Sequence, residues 1–570
     1  MLVVFGLDNQ EIAGILEEYA TLLELNGEDV FRVNAYRRAA KSLRNLNTSV
    51  VELWRSNGLE GVPGVGRAIA EKIGEIISTG RLKALEELRA RIPREVVELT
   101  GVPFVGPKTA RLLYTKFRVS GRVHLIEKLK DGSLVKQGFS PRLAEKILGA
   151  VEGVGEAFTK MLLVEGMNEA SQLIDNIGGP ELELYVCGSI RRGKEVVGDV
   201  DMVVLSKTKD KTLLDLVSKL SGGKTLAEGE SKLTWVSPRR VQFDFRLAHP
   251  EYLGAMQLYF TGSKEHNIAL RTHAQRLGFK LSEFGLFGGD GVRVAGATEE
   301  EVYAKLGLQY IEPELRENAG EIEAASKGVL PKLVGVSDVF GDYHVHSTWS
   351  DGVDTLERMV EGAIRQGYRY VVFTDHSKSE RVANGMSEER LRKQEEEIEK
   401  LRSKYGSIEI LHGSEVDILS GGRLDYDNRT LAQLDYVVAS LHRRFTSDTE
   451  VLTQAVIRAL ENRYVDTLGH PTNRMLGRRP ENGVDLEKVM AAAKKNSKFL
   501  EVDGQPRRMD LPSIWVKRAV EEGVHLVLSS DAHSTAELGY MMFALINARR
   551  GWAGAQNIVN SSQKFRGART

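Results

Sequence analysis

The chain has 570 residues, 42% hydrophobic and 28% charged, and 78 Lys+Arg against 79 Asp+Glu leave a net charge of −1. That length allows three or more domains, and the near-neutral balance means that any nucleic acid is met by local basic surfaces rather than by the whole molecule. Nothing reads as a run of about 18 apolar residues or as a signal peptide, and the single cysteine, Cys187, leaves no intrachain disulfide or zinc–thiolate site, so a cytoplasmic protein with no membrane partner is expected.

Residues 1 to about 175 are helical in pattern and broken by short glycine turns. "GVPGVGRAIAEKI" (61–73) and "GVPFVGPKTARLL" (101–113) align without gaps, and "GAVEGVGEAFTKM" (149–161) is a weaker echo. Gly64, Gly66, Gly101 and Gly106 let the backbone turn tightly and expose N–H groups at helix starts, where phosphate docks. The repeat resembles the helix-hairpin-helix motif, which grips DNA backbone without reading sequence.

From about 176 to 320 strands and helices alternate. In "GSIRRGKEVVGDVDMVV" (188–204), Asp199 and Asp201 share a strand face and Val200 takes the other. "VQFDFRLAHP" adds Asp244, on one face with Gln242 and Arg246, while Val241, Phe243, Phe245 and Leu247 turn the other way. Three carboxylates can hold two Mg²⁺ ions about 3.5–4 Å apart, one activating an attacking oxygen and one steadying a leaving phosphate. Gly188-Ser189 at a helix start, with Arg191 and Arg192, can cradle a triphosphate.

The ordered set "GSIRRGKEVVGDVD", "FDFR" and "YFTGSKEHNIALRTHAQRLGF" resembles the family X DNA polymerases, the group of DNA polymerase beta, over the first ~320 residues. The resemblance implies that Asp199 and Asp201 bind two Mg²⁺ or Mn²⁺ ions and that Asp244 helps activate the primer 3′-hydroxyl. It implies that Ser189, Arg192 and Gly198 contact the triphosphate, and that Tyr259, Phe260, Thr261 and Gly262 form a backbone turn beside the sugar. Asn267 would face the incoming base and Arg271 the template strand. Gln242 stands where animal members carry arginine, so a charged partner for Asp244 is expected to be missing.

"FRVNAYRRAAKSL" and the first hairpin resemble the lyase domain of the same polymerases. The resemblance places Lys72 at the Schiff-base position and Tyr36 at the matching tyrosine, and implies binding of a gap's 5′-phosphate and 5′-deoxyribose-phosphate lyase chemistry. Arg32 keeps the charge of one phosphate-pocket lysine, whereas Ala68 loses that of another.

A helical, acidic stretch at 318–340 reads as a linker. Beyond it, short apolar strands alternate with helical segments, the rhythm of a parallel α/β domain. Eight of the 12 histidines lie here, most of them where an apolar strand ends beside an acid: "DYHVHSTWSDG", "FTDHS", "HGSEVD", "ASLHRR", "LGHPTN", "SSDAHS". Strand ends that converge at a barrel mouth would gather such residues around metals. The region resembles the PHP (polymerase and histidinol phosphatase) domain, a distorted seven-stranded β/α barrel with up to three ions, Zn²⁺, Mn²⁺ or Fe²⁺. The matching ligands are His344, His346, Asp351, His376, Glu415, His442, His470, Asp531 and His533, and His412 and His525 read as structural.

The expected fold is therefore multidomain. A helical lyase-like hairpin domain covers 1–85 and a second hairpin domain 86–175; an α+β nucleotidyltransferase palm covers 176–255 and a nucleotide-selection subdomain 256–317. The linker at 318–340 leads to the PHP barrel at 341–570. The expected activity is gap-filling DNA synthesis in repair with 3′–5′ exonuclease, 3′-end-processing and abasic-site cleavage in the barrel. The expected partners are gapped or nicked DNA, deoxynucleoside triphosphates, DNA ligase and other repair proteins. A DNA-tethered phosphoesterase and a non-catalytic DNA-end scaffold are the alternatives.

Overall fold

The computed structural model describes residues 9–569 apart from 45, 47–48, 63, 101, 103, 142, 145–146, 149–159, 179–181, 207–219, 221, 230 and 444. Gly101 and most of the third hairpin echo lie outside the described residues. The chain divides into two compact units, Met1–Ala157 and Phe158–Thr570.

The first unit is all helix among the described residues, with Asn9–Asn26 packed along Val30–Arg44 and seven shorter helices from Val50 to Lys136 around one aliphatic core. The two hairpins superpose in their local rules. Val62 and Val65 in one, and Val102 and Val105 in the other, are buried, and each pair closes its turn with a 3.0 Å backbone hydrogen bond. Gly66 and Gly106 then cap the helices Arg67–Thr79 and Pro107–Thr115. The left-handed turn residue is Gly64 in the first copy but Phe104 in the second, at φ 65° and 46% exposed.

The second unit starts with the ladder β1 (Met161–Leu162) to β3 (Val196–Val197). A five-stranded sheet follows: β2 (Leu182–Val186), β4 (Val200–Ser206), β7 (Gln242–Ala248), β6 (Lys232–Val236) and β5 (Lys224–Glu228), in that spatial order. Strand β4 runs parallel to β7, and the other neighbours are antiparallel. Phe243 and Phe245 turn into the core and leave Asp244 between them on the opposite face, as the alternation of the strand requires. Helices Leu253–Thr261 and Lys264–Arg276 and a small antiparallel sheet, β8 (Lys280–Ser282), β9 (Gly285–Phe287) and β10 (Arg293–Ala295), complete this half.

Seven parallel strands in sequential order build the C-terminal barrel: β11 (Gly341–Val345), β12 (Tyr370–Phe373), β13 (Glu409–Asp417), β14 (Tyr436–Ser440), β15 (Thr467–Leu468), β16 (Phe499–Asp503) and β17 (Leu526–Ser529). A parallel bridge from Val345 to Ala532, with His346 N donating to Ala532 O at 2.8 Å, brings the two ends together. No helix among the described residues is long and apolar enough to cross a membrane.

Two expected boundaries meet a different arrangement. Helix Leu163–Ile177 packs with the palm, because Gly166 sits against Val197 and Ile190 with no room for a side chain. The 318–340 stretch is a packed segment: Glu321 is buried against His266 at 2.7 Å, and Val334 N donates to Ala553 O at 3.0 Å. An acidic, helical sequence reads as a solvated connection, but Glu321 also caps the backbone N–H groups of Asn318 and Ala319. Palm and barrel share a core in which Met509 and Phe543, from the barrel side, pack with Val197, Met202 and Phe245.

Phe543→Ala should therefore cost about 3–5 kcal/mol through the cavity it leaves. Hydrogen-exchange mass spectrometry should show palm and barrel peptides losing protection together; loss confined to the barrel would mean that the two halves fold separately.

Candidate active sites

In the palm, register fixes the carboxylates. Asp201 on β4 is the direct lateral partner of Asp244 on β7, and Asp199 lies two residues before Asp201, at the entry to β4. Burial first, then the neighbouring Asp199 and Asp244, push the Asp201 carboxyl up to about 7, and burial and Asp244 raise Asp199. Arg246 and Arg192 offset only part of this. Asp244 accepts hydrogen bonds from Thr234 Oγ1 at 2.5 Å and from Gln242 Nε2. The missing arginine is thus replaced by a neutral donor that orients the carboxylate without cancelling its charge.

Gly188 makes room for Asp201. Its φ is 62°, and a Cβ there would lie 2.0 Å from the Asp201 carboxylate. It opens the short helix Gly188–Arg191 that carries Ser189, and Gly198 lies in the bend between β3 and β4. Arg191 grips Glu299 through two 2.8 Å hydrogen bonds and Thr261 Oγ1 through a third at 2.7 Å. Arg192 donates to Thr261 O and, at 3.1 Å, to Glu317. Where the sequence suggests a separate backbone turn at 259–262, Tyr259–Thr261 finish helix Leu253–Thr261 and Gly262 caps it; Thr261 is thereby tied to both arginines, with Arg246 over the Phe260 ring. Asn267 donates to Tyr259 O at 2.7 Å, and the exposed Arg271 donates to Asn267 O at 3.3 Å. Sequence reading missed Glu299 and Glu317, whose partners Arg191 and Arg192 lie more than 100 residues away.

In the first unit, Lys72 is half-buried with Nζ 5.6 Å from the centre of the Tyr19 ring. Tyr36 is 5% exposed and packs edge-on against Tyr19 at 4.9 Å, so its ring belongs to the core.

In the barrel all nine expected residues converge. Glu415 is the hub, with His470 Nε2 at 2.8 Å, His442 Nε2 at 3.0 Å, His376 Nδ1 at 2.9 Å and His344 Nε2 at 3.4 Å. Asp531 lies 3.2 Å from His346 Nε2, and Asp351 lies 3.4 Å from His533 and 3.6 Å from His376. Three of the sets able to hold an ion are His346–Asp351–His376–His533, His344–His346–Asp531 and His376–Glu415–His442. Buried ring nitrogens of His344, His346, His376, His442 and His470 have no hydrogen-bond partner. Orphaned imidazole nitrogens converging on carboxylates fit divalent metal, because leaving them unpaired is otherwise costly. His412 is buried outside the cluster against Gln394, and His525 is exposed.

Supporting carboxylates escaped the sequence reading. Glu501 on β16 accepts from His344 Nδ1 and Ser529 Oγ, both at 2.7 Å, and Asp417 faces His442 Nδ1 at 2.6 Å. Such carboxylates fix which ring nitrogen points inward. The two-residue spacing in "SEVD" and the acid in "KFLEVDG" were the available signals.

Without metal, protons stand in for ions. Despite burial, Glu415 and other carboxylates raise His442 to about 9, and Asp351 and Asp531 raise His533 to about 9. A raised histidine stabilises the metal-free fold below its ordinary value of 6.5, and that stability is lost as pH rises through about 9. Metal must displace these protons, so Mn²⁺ or Zn²⁺ titrated into stripped protein at pH 8 should release protons. Calorimetry in two buffers of different ionisation enthalpy counts them; equal heats in both would contradict the proton occupancy. In the palm, Gly188→Ala should displace Asp201 and reduce nucleotide addition at least tenfold, and the strained left-handed alanine should lower the melting temperature by about a few degrees. Near wild-type extension would remove the role given to that close approach.

Family models match as DNA polymerase beta palm at 165–256, DNA polymerase beta thumb at 256–317, helix-hairpin-helix domain at 7–82 and PHP domain at 342–505. The chain is 33% identical over 565 residues, 97% of its length and 98% of the relative's, to the DNA polymerase/3′-5′ exonuclease PolX of Bacillus subtilis (strain 168). It is 28% identical over 343 residues to DNA polymerase lambda of Rattus norvegicus, covering 54% of this chain and 56% of that protein. A third relative, named a probable phosphatase, from Thermoanaerobacter sp. (strain X514), matches 36% of this chain at 33% identity and is covered over 83% of its own length. Register-paired palm aspartates, a histidine-rich barrel pocket and a full-length relative lead to one conclusion: the chain belongs to the family X DNA polymerases that carry a C-terminal PHP domain.

Proposed function

We propose that this protein is a DNA polymerase that fills short gaps during repair and trims 3′ ends by 3′–5′ exonuclease action, using a separate divalent-metal site for each reaction. The observation that carries the reading is Asp201 facing Asp244 across adjacent strands, with Asp199 beside them and burial disfavouring the charge of Asp199 and Asp201. In this reading Asp199 and Asp201 hold two Mg²⁺ or Mn²⁺ ions, which supply Lewis-acid stabilisation of the transferring phosphate. Asp244, oriented by Thr234 and Gln242, accepts the proton of the primer hydroxyl. Ser189, Arg192 and Gly198 take the deoxynucleoside triphosphate, and the helix end Tyr259–Gly262 with Asn267 selects it. The hairpin glycines and Arg271 hold the DNA backbone.

The barrel's nine ligands would hold up to three Zn²⁺, Mn²⁺ or Fe²⁺ ions that activate water against a phosphoester, and abasic-site cleavage is the finer expectation for the same pocket. Carboxylates on one side and imidazoles on the other suit different metals. The proposed domain limits keep the first hairpin domain at 1–85 and the barrel at 341–570, with the second hairpin domain ending before helix Leu163–Ile177, and Lys72 remains the candidate lyase nucleophile. DNA ligase and other repair proteins are the proposed partners, and the cytoplasm the proposed location. A non-catalytic scaffold would have no use for a set of mutually repelling carboxylates and a second set of converging ligands with unpaired imidazole nitrogens.

The test is extension across a one-nucleotide gap, then the same incubation without nucleotides. Asp199→Ala or Asp201→Ala should reduce synthesis on the order of 10³-fold, the loss of several kcal/mol of metal-based stabilisation, while gap binding stays. His344→Ala with His346→Ala should remove 3′-end hydrolysis and bound barrel metal. Extension at near wild-type rate by either aspartate variant, or hydrolysis by the double histidine variant, would contradict the assignments.

A further inference from the structure

The loop after β16 carries none of the nine barrel ligands, yet it enters the same pocket. Arg508 lines this open pocket of about 240 Å³ together with Asp351, His376, Glu415 and Asp531, and its side chain is 17% exposed. Its Nη1 donates to Asn473 Oδ1 at 3.0 Å, the one hydrogen bond the side chain makes among the described residues. Nε stands 3.6 Å from Asp503 and 3.7 Å from Asp531, close enough for attraction but beyond hydrogen-bond range. A guanidinium has five N–H donors in a planar fork. Here it is oriented by Asn473, itself fixed by donation to Leu441 O at 2.7 Å, and most of its donors are unspent.

The backbone around Arg508 is held from outside the barrel mouth. Arg474 Nε donates to Arg508 O at 2.9 Å, and Asn547 Nδ2 donates to Met509 O at 3.0 Å. Met509 is fully buried in the palm's core. Arg474 also reaches Glu195 of the palm at 3.4 Å. A charged fork on an anchored loop, at the rim of a pocket lined by ligand carboxylates and imidazoles, is preorganised for an anion. A plain counter-ion for the buried Asp503 and Asp531 would close onto their oxygens with paired, short contacts.

We propose that Arg508 is the substrate-binding residue that takes a non-bridging phosphate oxygen of the DNA 3′ end in the barrel pocket, and that the palm fixes its position. The inference rests on the hydrolase reading of that pocket. The unspent N–H donors of the fork suit a non-bridging phosphate oxygen at the rim of the ligand cluster.

The test compares Mn²⁺-loaded wild-type protein with Arg508→Ala and Arg508→Lys. Three quantities are read: metal content, equilibrium binding of inorganic phosphate by titration calorimetry, and KM and kcat for 3′-end hydrolysis. Metal content should be equal in all three proteins. Phosphate affinity should fall, and KM rise, on the order of 10- to 100-fold in Arg508→Ala, the loss of a charge-assisted hydrogen bond. Arg508→Lys, which keeps the charge but not the fork, should lie between. The proposal is overturned if Arg508→Ala binds phosphate within twofold of wild type with metal intact. It is equally overturned if Arg508→Ala loses metal while Arg508→Lys retains both metal and wild-type phosphate binding, since Arg508 would then serve only as charge balance. Wild-type protein that binds metal and phosphate but hydrolyses nothing would instead sink the hydrolase reading, and the proposal with it.

Discussion

Ligand groups held at the ends of rigid strands, mutually repelling carboxylates in the palm and unpaired imidazole nitrogens in the barrel, are the constraint on which both halves of this protein depend. In the palm, parallel register sets Asp201 opposite Asp244, and neither can retreat without unpairing β4 from β7. In the barrel, seven strand ends deliver histidines and carboxylates to one pocket whose ring nitrogens have nowhere else to bond. Unfavourable contacts of this kind persist only when the surrounding fold over-determines them. His470 and Asp531 adopt left-handed φ values of 24° and 51° at that pocket, so backbone strain accompanies the unpaired imidazole nitrogens. Divalent cations bound there would relieve both centres.

The two centres are chemically distinct yet mechanically joined. Helix Met541–Arg550 belongs to the barrel, but Phe543 packs in the palm core and Ile546 covers Gly193. Arg550 donates to Arg192 O at 2.6 Å and reaches Glu317 at 3.2 Å, the same carboxylate that holds the Arg192 side chain. Arg192 is thus tied to the Tyr259–Gly262 helix end on one side and to the barrel on the other. Changes to individual ligands should separate synthesis from hydrolysis, whereas changes to this shared core should not.

Much of the candidate chemistry was legible in the sequence because it follows short periods. The alternation of "VQFDFRLA" puts Asp244 opposite two phenylalanines, and histidines that end apolar runs mark the barrel mouth. What was illegible depends on neighbours distant in sequence. Glu501 orients His344 from 157 residues away. Gln242 reads as a lost charge until its amide is seen on Asp244. The acidic 318–340 stretch reads as a linker because composition alone does not reveal that Glu321 is spent on His266 and on two backbone N–H groups. Arg508 carries no local signature: its meaning comes from Asn473 and from a palm core that fixes the next residue.

The central claim is that two separate metal centres, one of carboxylates and one mainly of imidazoles, stand on a single packed unit. Anomalous X-ray diffraction from crystals soaked in Mn²⁺ tests it most directly. The account predicts peaks beside Asp199 and Asp201 and a separate cluster of up to three peaks among His344, His346, His376, Glu415, His442 and Asp531. Crystals with Mn²⁺ bound elsewhere, and none at either set of residues, would contradict it.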